Sequence, residues 1–487
     1  MKLQKCQEKT RNSRTSYSLS LKKVHNVSIK HTICITSGGK IMKKKLVSLL
    51  LVSAMVASLA AGCGSKQASD SDDGEAGLSV TTTFAGEDGN AGNYKEAVKA
   101  FQKETGIKIN DSSAVSDETF KTRVETDFQA GSEPDVLFFF NGADANSFIE
   151  EGKVVSIEEI RKEYPEYASN MNDDLIAPSL VDGEKYAVPV NGYWEGLFCN
   201  TEVLEAAGVE VPGADYTWDQ FMADCQKIKD AGYTPIAAAL GEIPHYWWEH
   251  TIFNHTTLDT HCEVPESVDK GNGPAWVEGM EDVKELYEQN FFPENTLSAK
   301  DDETFALFTS GKAAFVIDGS WKVGGIAAAC QSDPEDPETL DTEKLDKFTV
   351  TYVPTKGERK ATDLIGGLSM GYYITQKAWE DETKREDAVK FVEYMTSNDM
   401  VAKFAQHTAS ALKEAPEVDE SQFNSLQLKS IQMMSGVTSL TGAVQDLFNG
   451  ECRTSTFDGM PMIVTGEVNA KDAVAEGLAV YAEQNEE

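Results

Sequence analysis

The sequence predicts an α/β fold built on parallel strands and divided into two domains. Three observations carry this. From Leu78 onward, short apolar or β-branched runs alternate with stretches of helical periodicity, the pattern of a parallel sheet with right-handed crossovers. One run, Val136-Leu-Phe-Phe-Phe140, is apolar throughout, as suits a strand covered on both faces. Finally, 425 residues follow position 62, more than one ordinary core encloses.

Taken in order, Leu78 to Phe84 reads as the first strand, followed by a loop rich in Gly, Asp and Asn. Tyr94, Ala97, Val98 and Phe101 recur at i, i+3, i+4 and i+7, the stripe of an amphipathic helix, which Gly106 ends. Ile107 to Ile109 opens a second strand, and Phe120, Val124 and Phe128 mark a second helix stopped at Gly131. Pro134-Asp135 then leads into the Val136–Phe140 strand. Further on, Thr217-Trp-Asp-Gln220 has the form of a capping box, with Phe221, Cys225 and Ile228 as the buried face behind it. Ala388, Phe391, Val392 and Met395 repeat the helical spacing. Ser332 to Lys347, acidic and with two prolines, reads as a surface insertion, and no internal repeat is visible.

A different kind of segment precedes this body. Met42-Lys-Lys-Lys, an apolar run over 46–61 and Gly62 make a secretory signal. This run of 16 residues, apolar but for three serines, falls short of the roughly 18 a spanning helix needs, which disfavours the rival reading, an uncleaved anchor. Cys63 follows directly and resembles the cysteine of the bacterial lipoprotein lipobox, with Ala60 where a leucine is usual. The resemblance implies cleavage before Cys63 and lipidation of its thiol. Residues 42–62 are then a lipoprotein signal peptide and 63–77 a flexible tether, spanning about 20 Å as a coil. Residues 1–41 offer no core and are expected to be a mis-assigned extension, with translation starting at Met42.

The first 62 residues hold 12 of the 44 basic residues and one of the 80 acidic ones. The rest carries a formal net charge of −47, which repels phosphate backbones and argues against nucleic acid as a partner. Six cysteines lie at or beyond position 63 without a CxxC pair, so scattered buried thiols are expected, not a zinc site or disulfide framework. His245, His250, His255, His261 and Cys262 are spaced by five, five, six and one. No common helical face collects them, and neither metal nor cofactor is expected.

Several fragments together resemble the extracellular solute-binding proteins of ATP-driven sugar importers, the maltose-binding-like group. Gly131-Ser-Glu-Pro-Asp-Val136 is similar to that family's entry to a strand. Asp182-Gly-Glu-Lys-Tyr-Ala-Val-Pro189 with Gly196-Leu-Phe-Cys-Asn200 looks like its first crossover. Gly208, Pro212 and Thr217–Phe221, then Gly311–Phe315 with Gly319-Ser-Trp321, and then Gly366-Gly367 follow in the family's order. The resemblance covers most of residues 78–412. It implies a two-lobed periplasmic-binding-protein-like fold with an interlobe ligand cleft, crossed near 186–190, 349–354 and 407–412. The lobes are then 78–189 with 355–407, and 190–354 with 408–487. It also implies a monomeric, lipid-anchored receptor on the extracytoplasmic face, passing a carbohydrate to the permease of an ABC transporter, with no catalytic residue.

A sugar offers hydroxyls at its rim and a weakly apolar face, so its site needs carboxylates, amides and aromatic rings. Ligands of open α/β sheets sit beyond the carboxyl ends of strands. The candidates are therefore Asp88 and Asn90, Asn141 and Asp144, Asp318 and Trp321, all in loops after strands, with Trp194 and Glu195 after the first crossing and Gly367 at the glycine pair. Trp247 and Trp248 join them because adjacent residues are not expected both to face one core. Each has a plainer reading: Asp88 and Asn90 as turn residues, Asp144 as a helix cap, Trp321 as core, Gly367 as a tight backbone passage.

Two enzymatic readings compete. Gly367-Leu-Ser-Met-Gly371 matches the G-x-S-x-G elbow, but the Tyr372-Tyr-Ile-Thr375 behind it favours strand where the elbow needs a helix. A glycosidase needs two carboxylates facing each other across a sugar bond, which Glu195, Glu249 and Asp318 offer in type. A receptor for a non-sugar solute on the same fold is the remaining alternative.

Overall fold

The computed structural model describes residues 77–485 except 87, 334–335, 415–420, 422 and 449. The signal peptide, Cys63 and all but the last residue of the tether lie outside the described residues.

Among the described residues, ten strands form two sheets. They are β1 (Leu78–Thr81), β2 (Ile109–Asp111), β3 (Val136–Phe140), β4 (Tyr193–Asn200), β5 (Thr234–Ile236), β6 (Ala313–Gly319), β7 (Phe348–Thr351), β8 (Asp363–Gly367), β9 (Met370–Ile374) and β10 (Ser439–Thr441). The first sheet has the order β2-β1-β3-β9, the second β10-β8-β4-β6-β5 with β7 also on β4. The expected parallel arrangement holds for β1 with β2 and β3. Elsewhere the sheets are mixed: β9 runs antiparallel to β3, and β4 antiparallel to β6, β7 and β8.

The helices that matter below are α1 (Ala91–Thr105), α2 (Glu118–Ala130), α3 (Trp218–Asp230), α4 (His245–Phe253), α5 (Gly273–Glu288), α6 (Lys322–Ala329), α7 (Glu382–Met395), α8 (Asn398–Ala405) and α9 (Gly450–Phe457). The capping box at α3 forms as read, Thr217 taking the Gln220 N–H and the Gln220 side chain taking that of Thr217. Tyr94, Ala97 and Phe101 on α1 and Ala388, Phe391, Val392 and Met395 on α7 are all buried. With Val80, Phe138 and Tyr372 they belong to the core of the first lobe. The second lobe packs Leu197, Phe221, Trp276 and Phe315 in one cluster and Phe198, Phe308 and Phe348 in another.

Two expected crossings move. Thr349–Thr351 pairs with β4 inside the second sheet, and β8 pairs with β4 and β10. Residues 355–367 therefore stay with the second lobe, and the chain changes sheet between β8 and β9. The last passage also comes later, because Ala411 and Leu412 still pack in the first core. At the first passage, Val188 bridges Tyr372 of the first sheet and β4 begins at Tyr193. Between 332 and 347 the described side chains are mostly exposed, with Leu345 buried. Cys199, Cys225, Cys262 and Cys330 are free thiols, buried except for Cys262, and Cys452 is buried as well.

Candidate functional site

Strand register assembles the centre of the site. Antiparallel pairing sets Glu195 opposite Gly319 and Gly196 opposite Asp318, so the start of β4 lies beside the end of β6. Successive strand residues face opposite sides. Tyr193 and Glu195 consequently share one side, while Trp194 turns into the second core and donates its indole N–H to the His407 carbonyl at 2.9 Å. Trp321, just past β6, lies 6.4 Å from the Tyr193 ring and 6.0 Å from that of Tyr246 on α4.

Carboxylates surround these rings. Glu195 is 1% exposed, and neither of its oxygens has a hydrogen-bond partner. His250 Nε2 lies 3.0 Å from Glu195 Oε2 but out of line for a hydrogen bond. Glu249, fully buried, accepts the Gln445 N–H at 2.9 Å through Oε1 and leaves Oε2 unpartnered. Asp446 sits in the adjoining 3-10 turn Val444–Leu447. Asp318 accepts the N–H of Gly319 at 2.7 Å and lies 3.6 Å from Lys322, which also pairs with Asp301 at 2.6 Å.

Burial governs the protonation of this group. It holds Glu195 well above the ordinary carboxylate range, and the charges of Glu249, Asp318 and Asp446 add to it. Glu249 rises through burial against the Gln445 N–H, and Asp318 through burial against Lys322. Asp446 is pushed to about 7 by burial, opposed by Lys121. His250 is driven well below its usual value by burial and by the charges of Arg359 and His261.

The first lobe closes against this surface. A Cβ at Gly324 on α6 would stand 2.4 Å from the Gly89 Cα, and one at Gly142 would stand 2.3 Å from the Asp446 carbonyl oxygen. Asp144, 5% exposed, pairs with Lys121 at 3.2 Å and with Arg453 of α9 at 2.7 Å. Arg453 also reaches Glu118 at 3.2 Å. Burial would raise Glu118, but Lys121 and Arg453 outweigh it and hold the carboxyl below its usual value. Asp88, half-buried in the loop after β1, is raised to about 6 by burial, partly offset by the Asn90 N–H.

With this geometry in view, the comparisons with known proteins are decisive for the family. Residues 87–402 match the model of the bacterial extracellular solute-binding protein family. The chain belongs to that family. Its members are solute receptors, not enzymes, and act outside the cytoplasm. A putative binding protein of Brucella abortus is 23% identical over 348 residues, covering 70% of this chain and 76% of its own. The galactooligosaccharide-binding protein of Bacillus subtilis is 26% identical over 299 residues, 59% of this chain and 66% of that one. Among solved structures, a chitin oligosaccharide binding protein superposes with a TM-score of 0.69 at 20% identity, over 84% of this chain and 99% of its own. The two-lobed fold follows.

Against the fold of this solute-binding protein the candidates divide. Glu195, Asp318 and Trp321 converge, with Asp88 on the facing lobe. Asn90 is occupied in joining helices, its amide donating to the Phe404 carbonyl and accepting from Asn93. Asn141 donates to the Leu368 carbonyl at 2.9 Å, and Gly367 pairs with Tyr193 at the passage between sheets. Asp144 serves the ionic contact between lobes, and Trp194 is core.

Trp247 and Trp248 correct the expectation that one of them faces outward. They are 1% and 0% exposed and lie in one core cluster. Trp247 stacks near Phe221 and meets Phe292 edge-on, and Trp248 meets Trp276 and Phe457 edge-on. A helix buried on most sides accommodates adjacent rings. The cleft face of α4 instead carries Tyr246 and Glu249, related by i+3, a spacing readable in the sequence once α4 is drawn as a helix. Tyr193, at i−2 from Glu195, was signalled in the same way. Asp446 carries no motif. Ser369 precedes strand β9, not a helix, so the hydrolase elbow is absent. Among the described residues, no group of three or more His, Cys, Asp or Glu is arranged to hold a metal ion. A cavity of about 390 Å³ lined by Asn200, Glu202, Gly311, Lys344 and Lys347 shares no residue with the site.

Proposed function

We propose that this protein is a lipid-anchored receptor, held to the outer membrane face through Cys63, that captures a mono- or oligosaccharide and delivers it as a monomer to the permease of an ABC transporter. The observation that carries the reading is the set of three rings, Tyr193, Tyr246 and Trp321, bordering buried carboxylates where the lobes meet. Rings of this kind stack on the apolar faces of a pyranose, and the carboxylates take its hydroxyl hydrogens. Relatives named for galactooligosaccharide and chitin oligosaccharide point the same way. Asp88, Glu195, Asp318 and Trp321 are the sequence candidates retained as ligand contacts. Closure of the lobes is selected by contacts that exist only in the closed form.

Isothermal titration with mono- and oligosaccharides, amino acids and oligopeptides tests this reading. Saturable binding of a saccharide alone, returned unaltered, is expected. Binding of peptides without sugars would refute the carbohydrate assignment. For the anchor, Cys63→Ala is expected to release the protein from the membrane, and retention in that variant would refute lipidation.

A further inference from the structure

The carboxylates around the rings share a feature that the sugar-receptor reading alone leaves unexplained. Glu195 and Glu249 are wholly buried, three of their four oxygens have no hydrogen-bond partner, and no lysine or arginine pairs with either among the described residues. Lys121 and Arg453 pair with Asp144 and Glu118, Lys322 pairs with Asp301 and Asp318, and Arg359 donates to the Val353 and Pro354 carbonyls. Asp446 follows Gln445, whose N–H Glu249 accepts at 2.9 Å, in the same 3-10 turn. Hydroxyl groups of a neutral sugar satisfy these oxygens and leave the carboxyls in their protonated form. A cationic ligand lets the carboxyls ionise and replaces neutral hydrogen bonds by charge-assisted ones, which are stronger in a dry site. The bordering rings add attraction for a cation above their faces.

Resting on the sugar-receptor reading, we propose that the ligand is a cationic saccharide, a sugar or sugar oligomer with at least one free amino group, whose ammonium nitrogen is held by Glu195, Glu249 and Asp446 while Tyr193, Tyr246 and Trp321 border the ring. Its binding draws protons off the carboxyls, which burial keeps protonated in the empty site.

The test is calorimetric titration of the full chain with glucosamine oligomers, their N-acetylated counterparts, glucose oligomers of the same linkage, and spermidine as a cation without a sugar. Free amino forms are expected to bind about tenfold or more tightly than the acetylated forms. Proton release is expected for the amino forms alone, read from two buffers of different ionisation enthalpy. Glu249→Gln is expected to abolish the preference by weakening the amino forms about tenfold more than the acetylated forms; Asp446→Asn gives a second test should the first variant unfold. Acetylated or neutral sugars bound as tightly as the amino forms would overturn the cationic ligand and leave the sugar receptor standing. Spermidine bound with no saccharide binding would overturn the sugar receptor itself.

Discussion

Arg453 in the second lobe stands 2.7 Å from Asp144 in the first, both nearly excluded from water. Removing one member of a buried pair leaves the other uncompensated, at about 3–5 kcal/mol. Here Lys121 remains on Asp144, so Arg453→Met is expected to cost less, about 1–3 kcal/mol. The loss falls on the closed form, and ligand affinity should drop by about tenfold. Titration and small-angle scattering read the two effects; unchanged affinity and an unchanged envelope would show that the pair does not hold the lobes together.

Helix α4 separates stability from binding. Trp248→Ala empties a site between Trp276 and Phe457 and is expected to cost about 3–5 kcal/mol in urea unfolding. Tyr246→Ala, on the cleft face, is expected to destabilise less and to weaken saccharide binding by about tenfold. Equal losses of affinity in the two variants would contradict this division of faces.

The empty receptor should lose stability as pH rises through neutrality. Asp446, with a folded pKa of about 7 against 3.8 unfolded, keeps a proton that the unfolded chain has shed, as do Glu195, Glu249 and Asp318. The folded state then binds more protons, and the free energy of unfolding falls with pH. Buried His245, His250, His261 and His407, all lowered, act in the opposite direction below their ordinary 6.5. The window in which the acids act alone therefore opens at about pH 6.5. A falling melting temperature from there to about pH 7.5 is expected, flattened in Asp446→Asn; a rise would contradict the protonation states assigned to the site.

Gly324 and Gly89 test closure from the opposite direction. A methyl group at Gly324 would lie 2.4 Å from the Gly89 backbone, closer than any real contact, and the backbone opposite cannot swing aside like a side chain. Gly324→Ala is expected to keep each lobe folded, hold the lobes apart in solution scattering and weaken binding. A variant that closes normally would show that this contact is dispensable.

Much of the fold was legible because periodicity is a local property. The α1 and α7 stripes, the α3 capping box and the Val136–Phe140 strand all form as their spacing implies. The crossings were harder to read: β7 and β8 are short apolar strands whose residues look the same whether they pair within a sheet or bridge two. In the site, the loop residues Asp318 and Trp321 were visible because they follow a strand. Tyr246 and Glu249 were obscured by the larger rings beside them, whose size suggested a binding surface but whose positions on α4 face the core. Asp446 reaches the site through tertiary contact alone, from a 3-10 turn without a motif.

Trp321 offers the most direct measurement, because it borders the site while Trp194, Trp218, Trp247, Trp248, Trp276 and Trp379 are buried. Intrinsic fluorescence is titrated with saccharides in the unaltered protein and in Trp321→Phe. The receptor account predicts a saturable change in the former that disappears in the latter. An undiminished change in Trp321→Phe, or no saturable change with any saccharide, would contradict it.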